Sequence, residues 1–412
     1  MMRRGMAVAL ALLSGSALAC ASGRAAAPPP APSLEVASAA AAEEGRPVAQ
    51  DTTFVIGERV GLHSAILGED RALLVYRPPP EDDTTRYPVV YLLDGEVHFH
   101  HVTGLIQFLM SQGLMPRVMV VGVVNVDRTR DFTPTRDAQF PTSGGAERFL
   151  AFLRRELIPA VEAHYTTARY RVLIGHSLGG LLAIDALNQA PDLFDAIIAL
   201  SPSLFWGESL MQRQTEALLA AHPPADRTLY LTVGNEEPVM VAAARSYAEM
   251  LRARARPGIR WLFEEMERED HGSVVHRGVY RGLELVFEGW APPPGVDTLA
   301  ALERHYQGLS ARFHIPVRVP EQRLNAVGYR LMAGGKIDEA IAAFRRNVEL
   351  HPDSPNAYDS LGEALEQKGD HEQAVHNYDL AVKHAAGNRD PRLQLFMTRL
   401  EAARARRAPP GK

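Results

Sequence analysis

One stretch of this chain restricts its fold more than any other: residues 170–187, which read YRVLIGHSLGGLLAIDAL. A short β-prone run is followed at once by GHSLG, and the residues after it have the apolar spacing of a buried helix. In such a strand–turn–helix a serine adopts a strained backbone conformation with its hydroxyl above the sheet, and glycines on both sides prevent clashes. Ser177 is therefore a candidate nucleophile, and the backbone N–H of Leu178 is a candidate oxyanion donor. The alternative is an ordinary glycine-rich turn.

The length and charge of the chain limit the classes of protein to which it can belong. At 412 residues it is long enough for two domains with additional tails. A hydrophobic fraction of 46% with 23% charged residues is typical of a globular protein. The formal net charge of -5 and the scattered basic residues create no field that attracts a polyanion. We therefore expect no nucleic-acid partner.

The first 20 residues have the pattern of an export signal. Two arginines precede the apolar run 6–13, and small residues then lead to Cys20, the one cysteine of the sequence. This pattern resembles the bacterial lipobox, in which the cysteine is acylated, although Ala17 stands where leucine is usual. Ordinary signal cleavage after Ala19 is the alternative. We expect an exported protein of the bacterial periplasm, either a lipoprotein that contacts the outer membrane only through Cys20 or a soluble secreted form.

Residues 21–50 are rich in alanine and proline and contain almost nothing that a core could bury, which predicts a tether. Apolar runs and helical patterns alternate after it. The predicted buried strands are 87–95, 118–126, 171–174, 196–200, 228–233 and 260–265, after two strands within 54–77. The helical patterns between them are 104–110, 147–164, 181–189, 210–221 and 242–255. This alternation predicts an α/β fold with a doubly wound, mostly parallel sheet.

Polar residues follow the carboxyl ends of these strands, where ligands bind in sheets of this kind. His271 comes after the last predicted strand and could act as a base for Ser177. Glu236 and Glu237 come after the strand before it and could fix the orientation of that histidine. Serine, then glutamate, then histidine is the chain order that this architecture uses.

The motifs at the strand ends are, in order, YLLDGE, VGVVNVDRTRDFTP, GHSLGG, SPSLFW, VGNEE and EDHGS. Over roughly residues 54–290 this set resembles the putative esterase branch of the α/β-hydrolase superfamily, which includes siderophore esterases that open the trilactone of enterobactin-type compounds. The resemblance implies Ser177 as nucleophile, His271 as general base and Glu237 as acid. Glu236 is the close alternative for the acid, and some members of the family work with a Ser–His dyad.

The resemblance also implies residues that surround the reacting ester. The backbone at Gly95 and Glu96 would supply the second oxyanion donor, and Arg128 and Trp206 match positions that face the substrate cleft. His98, in the segment after the first buried run, is a further candidate for substrate contact.

Several of these residues have a structural alternative. Arg128 and Arg130 could pair with neighbouring aspartates on the surface, Trp206 could belong to the core, and the two glutamates could form a solvated turn. His98, His100 and His101 suggest a metal site, but no distant third ligand accompanies them. No phosphate-binding or dinucleotide-binding fingerprint is present in the sequence. We therefore expect neither a metal nor another cofactor.

A helical repeat follows a proline-rich boundary at 292–294 and a predicted helix at 298–312. An offset of 34 residues aligns two copies. The aligned pairs are Gly328 with Gly362, Leu331 with Leu365, Gly335 with Gly369, Ala340 with Ala374, and Phe344 with Tyr378. This resembles the tetratricopeptide repeat, with 390–405 as a capping helix, and the alternative is a plain helical bundle.

The predicted organisation is a signal peptide at 1–20, a tether at 21–50, an α/β-hydrolase domain at 51–291, a linker with a connecting helix at 292–320, and helical repeats at 321–412. The predicted function is hydrolysis of a small-molecule carboxylic ester through an acyl-enzyme. A siderophore trilactone is the narrower alternative. A scaffold that acts through repeats binding a protein or peptide is the alternative outside enzymology.

Overall fold

A single mixed β-sheet organises the first two thirds of the molecule in the computed structural model, which describes residues 55–79, 85–221, 226–255 and 258–407. The described residues form eight strands in the order β1-β2-β4-β3-β5-β6-β7-β8. Their bounds are β1 Glu58–Ser64, β2 Glu69–Tyr76, β3 Tyr87–Leu92, β4 Met119–Val123, β5 Thr167–His176, β6 Ala196–Leu200, β7 Arg227–Gly234 and β8 Ile259–Met266. The expectations for Cys20 and the tether lie outside the described residues.

Helices connect the strands and continue after the last one. Within the described residues they are α1 Gly95–Ser111, α2 Arg128–Phe132, α3 Ala146–Phe152, α4 Ile158–His164, α5 Leu178–Gln189, α6 Trp206–Ala221, α7 Pro238–Arg254, α8 Val274–Val286, α9 Leu299–Phe313, α10 Glu321–Ala333, α11 Ile337–Leu350, α12 Pro355–Lys368, α13 His371–Asn388 and α14 Leu393–Arg407. A π-helical turn, Leu153–Leu157, joins α3 to α4. None of the helices in these described ranges is long and apolar enough to span a bilayer.

Most strands of the sheet are parallel and buried on both faces. From β3 to β8 neighbouring strands are parallel, and β1 and β2 add an antiparallel edge next to β4. Every residue of β3, β4 and β6 is buried, because helices cover both faces of the sheet. The predicted α/β fold, with a doubly wound sheet followed by a helical region, is confirmed.

The apolar core on one face of the sheet continues into the helical region. Phe313 at the end of α9 is fully buried, and its ring centroid lies 5.0 Å from that of Tyr170 and 5.5 Å from that of Phe287. Leu324 of α10 and Ala343 of α11 belong to the same buried cluster. Helix α9 therefore packs between the sheet domain and the first helical pair.

The helical pairs α10–α11 and α12–α13 share the same glycine–aromatic contact. A Cβ atom built on Gly328 of α10 would lie 2.4 Å from the ring of Phe344, and one on Gly362 of α12 would lie 2.9 Å from the ring of Tyr378. Each glycine thus admits a large ring from the following helix at the point of closest approach. The 34-residue offset places the same contact at equivalent positions in both pairs, and α14 packs against the second pair.

Candidate active site

Ser177 lies at the sharp turn between β5 and α5. Its backbone has φ 58° and ψ -117°, a combination that L-residues seldom adopt and that costs roughly 1–3 kcal/mol. Gly175 makes this turn possible, because a Cβ there would lie 2.2 Å from the carbonyl oxygen of Gly179. The Ser177 N–H donates to the oxygen of Leu200 at 3.0 Å, which fixes the turn to β6. The residue is only partly buried, so its hydroxyl is accessible.

Two helices begin at the carboxyl ends of adjacent parallel strands near Ser177. Strands β3 and β5 are paired, with Leu92 opposite Ile174, and they lead to α1 and α5 respectively. The first N–H groups of an α-helix have no acceptor within the helix. Those of Gly95 and Glu96 at the start of α1 and of Leu178 at the start of α5 are therefore candidate oxyanion donors.

His271 follows β8 and pairs with a glutamate from the loop after β7. Its Nδ1 lies 2.6 Å from Oε2 of Glu236, whose side chain is only 2% exposed. The other oxygen, Oε1, accepts hydrogen bonds from the hydroxyl of Ser201 and, at 2.8 Å, from the N–H of Gly234. Burial raises the pKa of Glu236, but the hydrogen bonds from His271, Ser201 and Gly234 outweigh this effect and leave that pKa below its usual value.

The prediction of Glu237 as the acid is wrong, because the structure places Glu236 against His271. Glu237 is exposed and precedes Pro238, the first residue of α7. A residue before proline is driven into an extended conformation, and Glu237 has φ -51° and ψ 133°. Glu237 is therefore the exposed N-cap residue of α7, whereas the side chain of Glu236 is directed into the protein toward His271.

Arg128 is held in place by groups of the protein. Its Nε lies 2.6 Å from Oδ1 of Asp94 and its Nη2 lies 3.0 Å from Oδ2, a bidentate ion pair with a buried carboxylate. The same Nη2 donates to the carbonyl oxygen of His176 at 2.9 Å. Arg128 therefore connects the residue before Gly95 with the residue before Ser177. The pair with Asp131 that the sequence suggested is formed by Arg130, and it is largely buried, since the Asp131 side chain is 1% exposed.

Histidine rings extend from the candidate base along the start of α1. Nδ1 of His98 lies 3.1 Å from Nε2 of His101, and Nδ1 of His101 lies 3.1 Å from Nδ1 of His276. Burial lowers the pKa of His98, that of His101 to about 4 and that of His176 to about 3, so these rings are neutral near pH 7. Among the residues that the structure describes, no three His, Cys, Asp or Glu side chains are arranged to hold a metal ion.

The prediction that Trp206 contacts substrate is wrong. Its side chain is 5% exposed and belongs to the core, where the ring lies against Phe140 with centroids 5.4 Å apart. The indole N–H donates to the hydroxyl of Thr135 at 3.0 Å, which satisfies the one polar group of the ring. Trp206 is the structural residue that the sequence allowed as its alternative.

One cavity of about 410 Å³ brings the predicted residues together. It is lined by Asp94, Glu96, Val97, His98, Asn125, Arg128, His176, Ser177, His271, Gly272 and Val275. A larger cavity of about 660 Å³ lies where the strands begin, near Tyr87 and Thr166, and no Ser–His pair lines it. Asp94, Asn125, His176 and Ser201 were not predicted as site residues, although each lies in or beside one of the strand-end motifs.

Comparison with known proteins identifies the family. The family described as "Putative esterase" matches residues 64–268, and a tetratricopeptide repeat family matches residues 328–369. The chain is 31% identical over 252 residues to the ferri-bacillibactin esterase BesA of Bacillus subtilis. The matched region is 52% of this chain and 82% of that protein. The chain belongs to the putative esterase family. The predicted resemblance, including the tetratricopeptide repeats, is confirmed.

Two further relatives of this esterase support the same assignment. The siderophore triacetylfusarinine C esterase of Aspergillus fumigatus is 32% identical over 242 residues, which is 49% of this chain and 82% of that protein. An IroE-like serine hydrolase from Shewanella oneidensis, known from a crystal structure, is 30% identical in sequence. The two structures superpose with a TM-score of 0.61 over 71% of this chain and 99% of that one. The esterase is therefore an ester hydrolase by family, with siderophore esterases among its homologues.

Proposed function

We propose that the protein hydrolyses carboxylic esters through Ser177, with His271 as general base and Glu236 as the residue that orients it. The single observation that carries this proposal is the cavity lined by both Ser177, in its strained turn, and His271, whose ring is paired with Glu236. The Ser177 hydroxyl attacks the ester carbonyl and its proton passes to Nε2 of His271. Glu236 accepts from Nδ1, which keeps Nε2 free to take that proton.

The tetrahedral intermediate carries a negative oxygen that needs hydrogen-bond donors. The N–H groups at the starts of α1 and α5 supply them, from Leu178 on one side and Gly95 or Glu96 on the other. His271 then gives the proton to the leaving alcohol. In the second half a water molecule attacks the acyl-enzyme while His271 takes its proton, and the acid is released as that proton returns to the Ser177 oxygen.

Labelling by a fluorophosphonate tests the nucleophile. The wild-type protein is expected to become labelled at Ser177 and to hydrolyse p-nitrophenyl butyrate, whereas Ser177→Ala loses both, with turnover reduced on the order of 10⁴-fold or more. Ser246→Ala, which removes a hydroxyl from the exposed face of α7, is the matched control and retains both. More than about a tenth of wild-type turnover in Ser177→Ala contradicts the proposal.

A siderophore ester is the second candidate substrate. The named function of BesA and of the fungal homologue supports it, since both are siderophore esterases and each aligns with this chain over 82% of its own length. Hydrolysis of ferric and iron-free siderophore lactones, followed by chromatography of the released acids, is the direct measurement. A wild-type protein that cleaves small activated esters and no siderophore lactone would remove this candidate.

We also propose that the protein is exported and acylated at Cys20. The support is the sequence alone: an apolar run with two preceding arginines and small residues before the one cysteine. In bacterial cells Cys20→Ser is expected to move the protein from the membrane fraction to the soluble periplasmic fraction. An unmodified mature N-terminus at residue 20 or 21 would overturn the proposal.

The tetratricopeptide segment, with the boundary near 320, is proposed to bind a protein or peptide partner. A scaffold function without catalysis has less support, because the candidate nucleophile and base line one cavity and the candidate acid contacts the base. The Ser177→Ala protein separates the two functions. Binding of a partner that survives in this variant belongs to the repeats, and hydrolysis that is lost belongs to the cavity.

A further inference from the structure

The positive charge in the candidate active site is already neutralised. Arg128 is the one arginine or lysine that lines the described cavity, and both oxygens of Asp94 accept from it. Oδ1 of Asp94 also accepts from the side-chain amide of Asn125 at 2.7 Å. The Asp94 side chain is 5% exposed and that of Arg128 is 33% exposed, so the pair presents its two charges together.

A second carboxylate in the cavity has no cationic partner among the described residues. Glu96 is exposed, and its oxygens accept from the main-chain N–H of Asn125 at 3.2 Å and from its side-chain amide at 2.7 Å. These donors are neutral, and Glu96 forms no ion pair with any residue that the structure describes. The carboxylate therefore carries an uncompensated negative charge directly after Gly95, where the carbonyl of a bound ester would lie.

The remaining wall of the cavity does not offset this charge. The rings of His98 and His176 are neutral near pH 7, because burial lowers the pKa of each. An apolar side chain, that of Val97, also lines the cavity, and this residue is 65% exposed. A substrate would thus meet a net negative charge and the exposed Val97.

We infer that this cavity selects uncharged or cationic esters and disfavours anionic ones, with Glu96 as the side chain that sets the preference. The inference rests on the proposed function and specifies its substrate class. A ferric complex of three catecholates carries three negative charges, because six from the ligands meet three on the iron, and it is a poor match for this wall. A ferric complex of three hydroxamates is uncharged and is compatible with it.

A matched pair of substrates tests the preference. The mono-p-nitrophenyl ester of adipic acid carries a carboxylate at neutral pH, and the corresponding adipamate is uncharged and of nearly the same shape. We expect the wild-type protein to have a kcat/KM for the adipamate higher than that for the adipate by about threefold or more at low salt, from repulsion across a solvated cleft. Added salt is expected to reduce the difference.

Two variants that remove one negative charge identify its source. Glu96→Gln is expected to bring the ratio of the two kcat/KM values toward one, whereas Glu249→Gln, on the exposed side of α7 outside the cavity, leaves the ratio at its wild-type value. An adipate that is hydrolysed as well as the adipamate by the wild-type protein overturns the inference, as does a ratio that Glu96→Gln does not change. Hydrolysis of neither ester, in a protein that is folded, overturns the proposed function itself.

Discussion

Nε2 of the His176 ring lies 2.7 Å from the main-chain oxygen of His271. A carbonyl oxygen only accepts, so the ring nitrogen must donate, and the lowered pKa of His176 keeps the ring neutral near pH 7. The two imidazole rings also contact each other, with centroids 4.6 Å apart and planes tilted by 44°. His176 directly precedes Ser177, and its carbonyl oxygen accepts from Arg128. His176 therefore links the loop of the candidate base to the turn of the candidate nucleophile.

His176→Leu removes this donor while keeping an apolar side chain of similar size. We expect kcat to fall about tenfold with KM nearly unchanged, because losing a hydrogen bond of about 1–1.5 kcal/mol allows the His271 loop to leave its reactive position. His176→Gln offers an amide donor and is expected to recover part of the loss. If His176→Gln has the same kcat as His176→Leu, the donor makes no difference and the hydrogen bond has no positioning role.

The buried neutral histidine makes the stability of the protein depend on pH. The pKa of His176 is about 3 in the folded protein and about 6.5 when unfolded, so below pH 6.5 the unfolded state binds the proton and the folded state does not. The contribution of the neutral His176 ring to the free energy of unfolding is complete above about pH 6.5 and is lost as the pH falls toward 3. We expect about 2 kcal/mol less free energy of unfolding at pH 5 than at pH 7.5, measured by urea denaturation. His176→Gln should reduce this difference, and an unchanged pH dependence in the variant would contradict the expectation.

Glu236 and Glu237 form an adjacent pair for testing the candidate acid. Glu236→Gln replaces the carboxylate that accepts from His271 Nδ1, and we expect kcat to fall by about 10²–10⁴-fold because the amide no longer fixes the productive tautomer. Glu237→Gln, on the exposed start of α7, is the control and should retain most of the activity. Steady-state kinetics with p-nitrophenyl butyrate compare the two, and a larger loss in the control would reverse the assignment.

Phe313 joins the helical region to the sheet domain. Its fully buried ring lies 5.7 Å, centroid to centroid, from that of Trp290 and also contacts Tyr170 and Phe287. We expect Phe313→Ala to lower the free energy of unfolding by about 3–5 kcal/mol. Phe108→Ala, at a ring that is 53% exposed on α1, should cost much less in the same urea titration. Equal losses would mean that α9 contributes little to the core.

The closest approach of the first helical pair can be tested at one glycine. Gly328→Ala would place a methyl group 2.4 Å from the ring of Phe344, and we expect the free energy of unfolding to fall by about 1–3 kcal/mol from overpacking. Gly308→Ala, where a Cβ meets no atom within 4 Å, should stabilise α9 by about 0.5–1 kcal/mol. Thermal unfolding of both variants measures the difference in sign, and a stabilised Gly328→Ala would contradict the packing described here.

The sheet could be predicted because its strands are continuous apolar runs, and Ser177 because GHSLG lies between a strand and a helix. The choice between Glu236 and Glu237 could not, since it depends on the backbone of a turn before Pro238 and a change of one residue reverses the direction of the side chain. The contact of His176 with His271 crosses 95 residues, and no local pattern encodes it. Trp206 was misplaced for a similar reason, because its partners Thr135 and Phe140 are distant in the chain.

Helix α9 and the first helical pair share a buried cluster with the sheet domain, and this has a thermodynamic consequence for any partner of the repeats. Since the described residues from 55 to 407 belong to one compact unit, a ligand that binds the folded repeats also stabilises the folded esterase domain. At a concentration 100 times its dissociation constant such a ligand would add about 2.7 kcal/mol to the free energy of unfolding of the whole unit. Occupancy at the repeats would thereby protect Ser177 and His271 from heat and from proteases without contacting either residue.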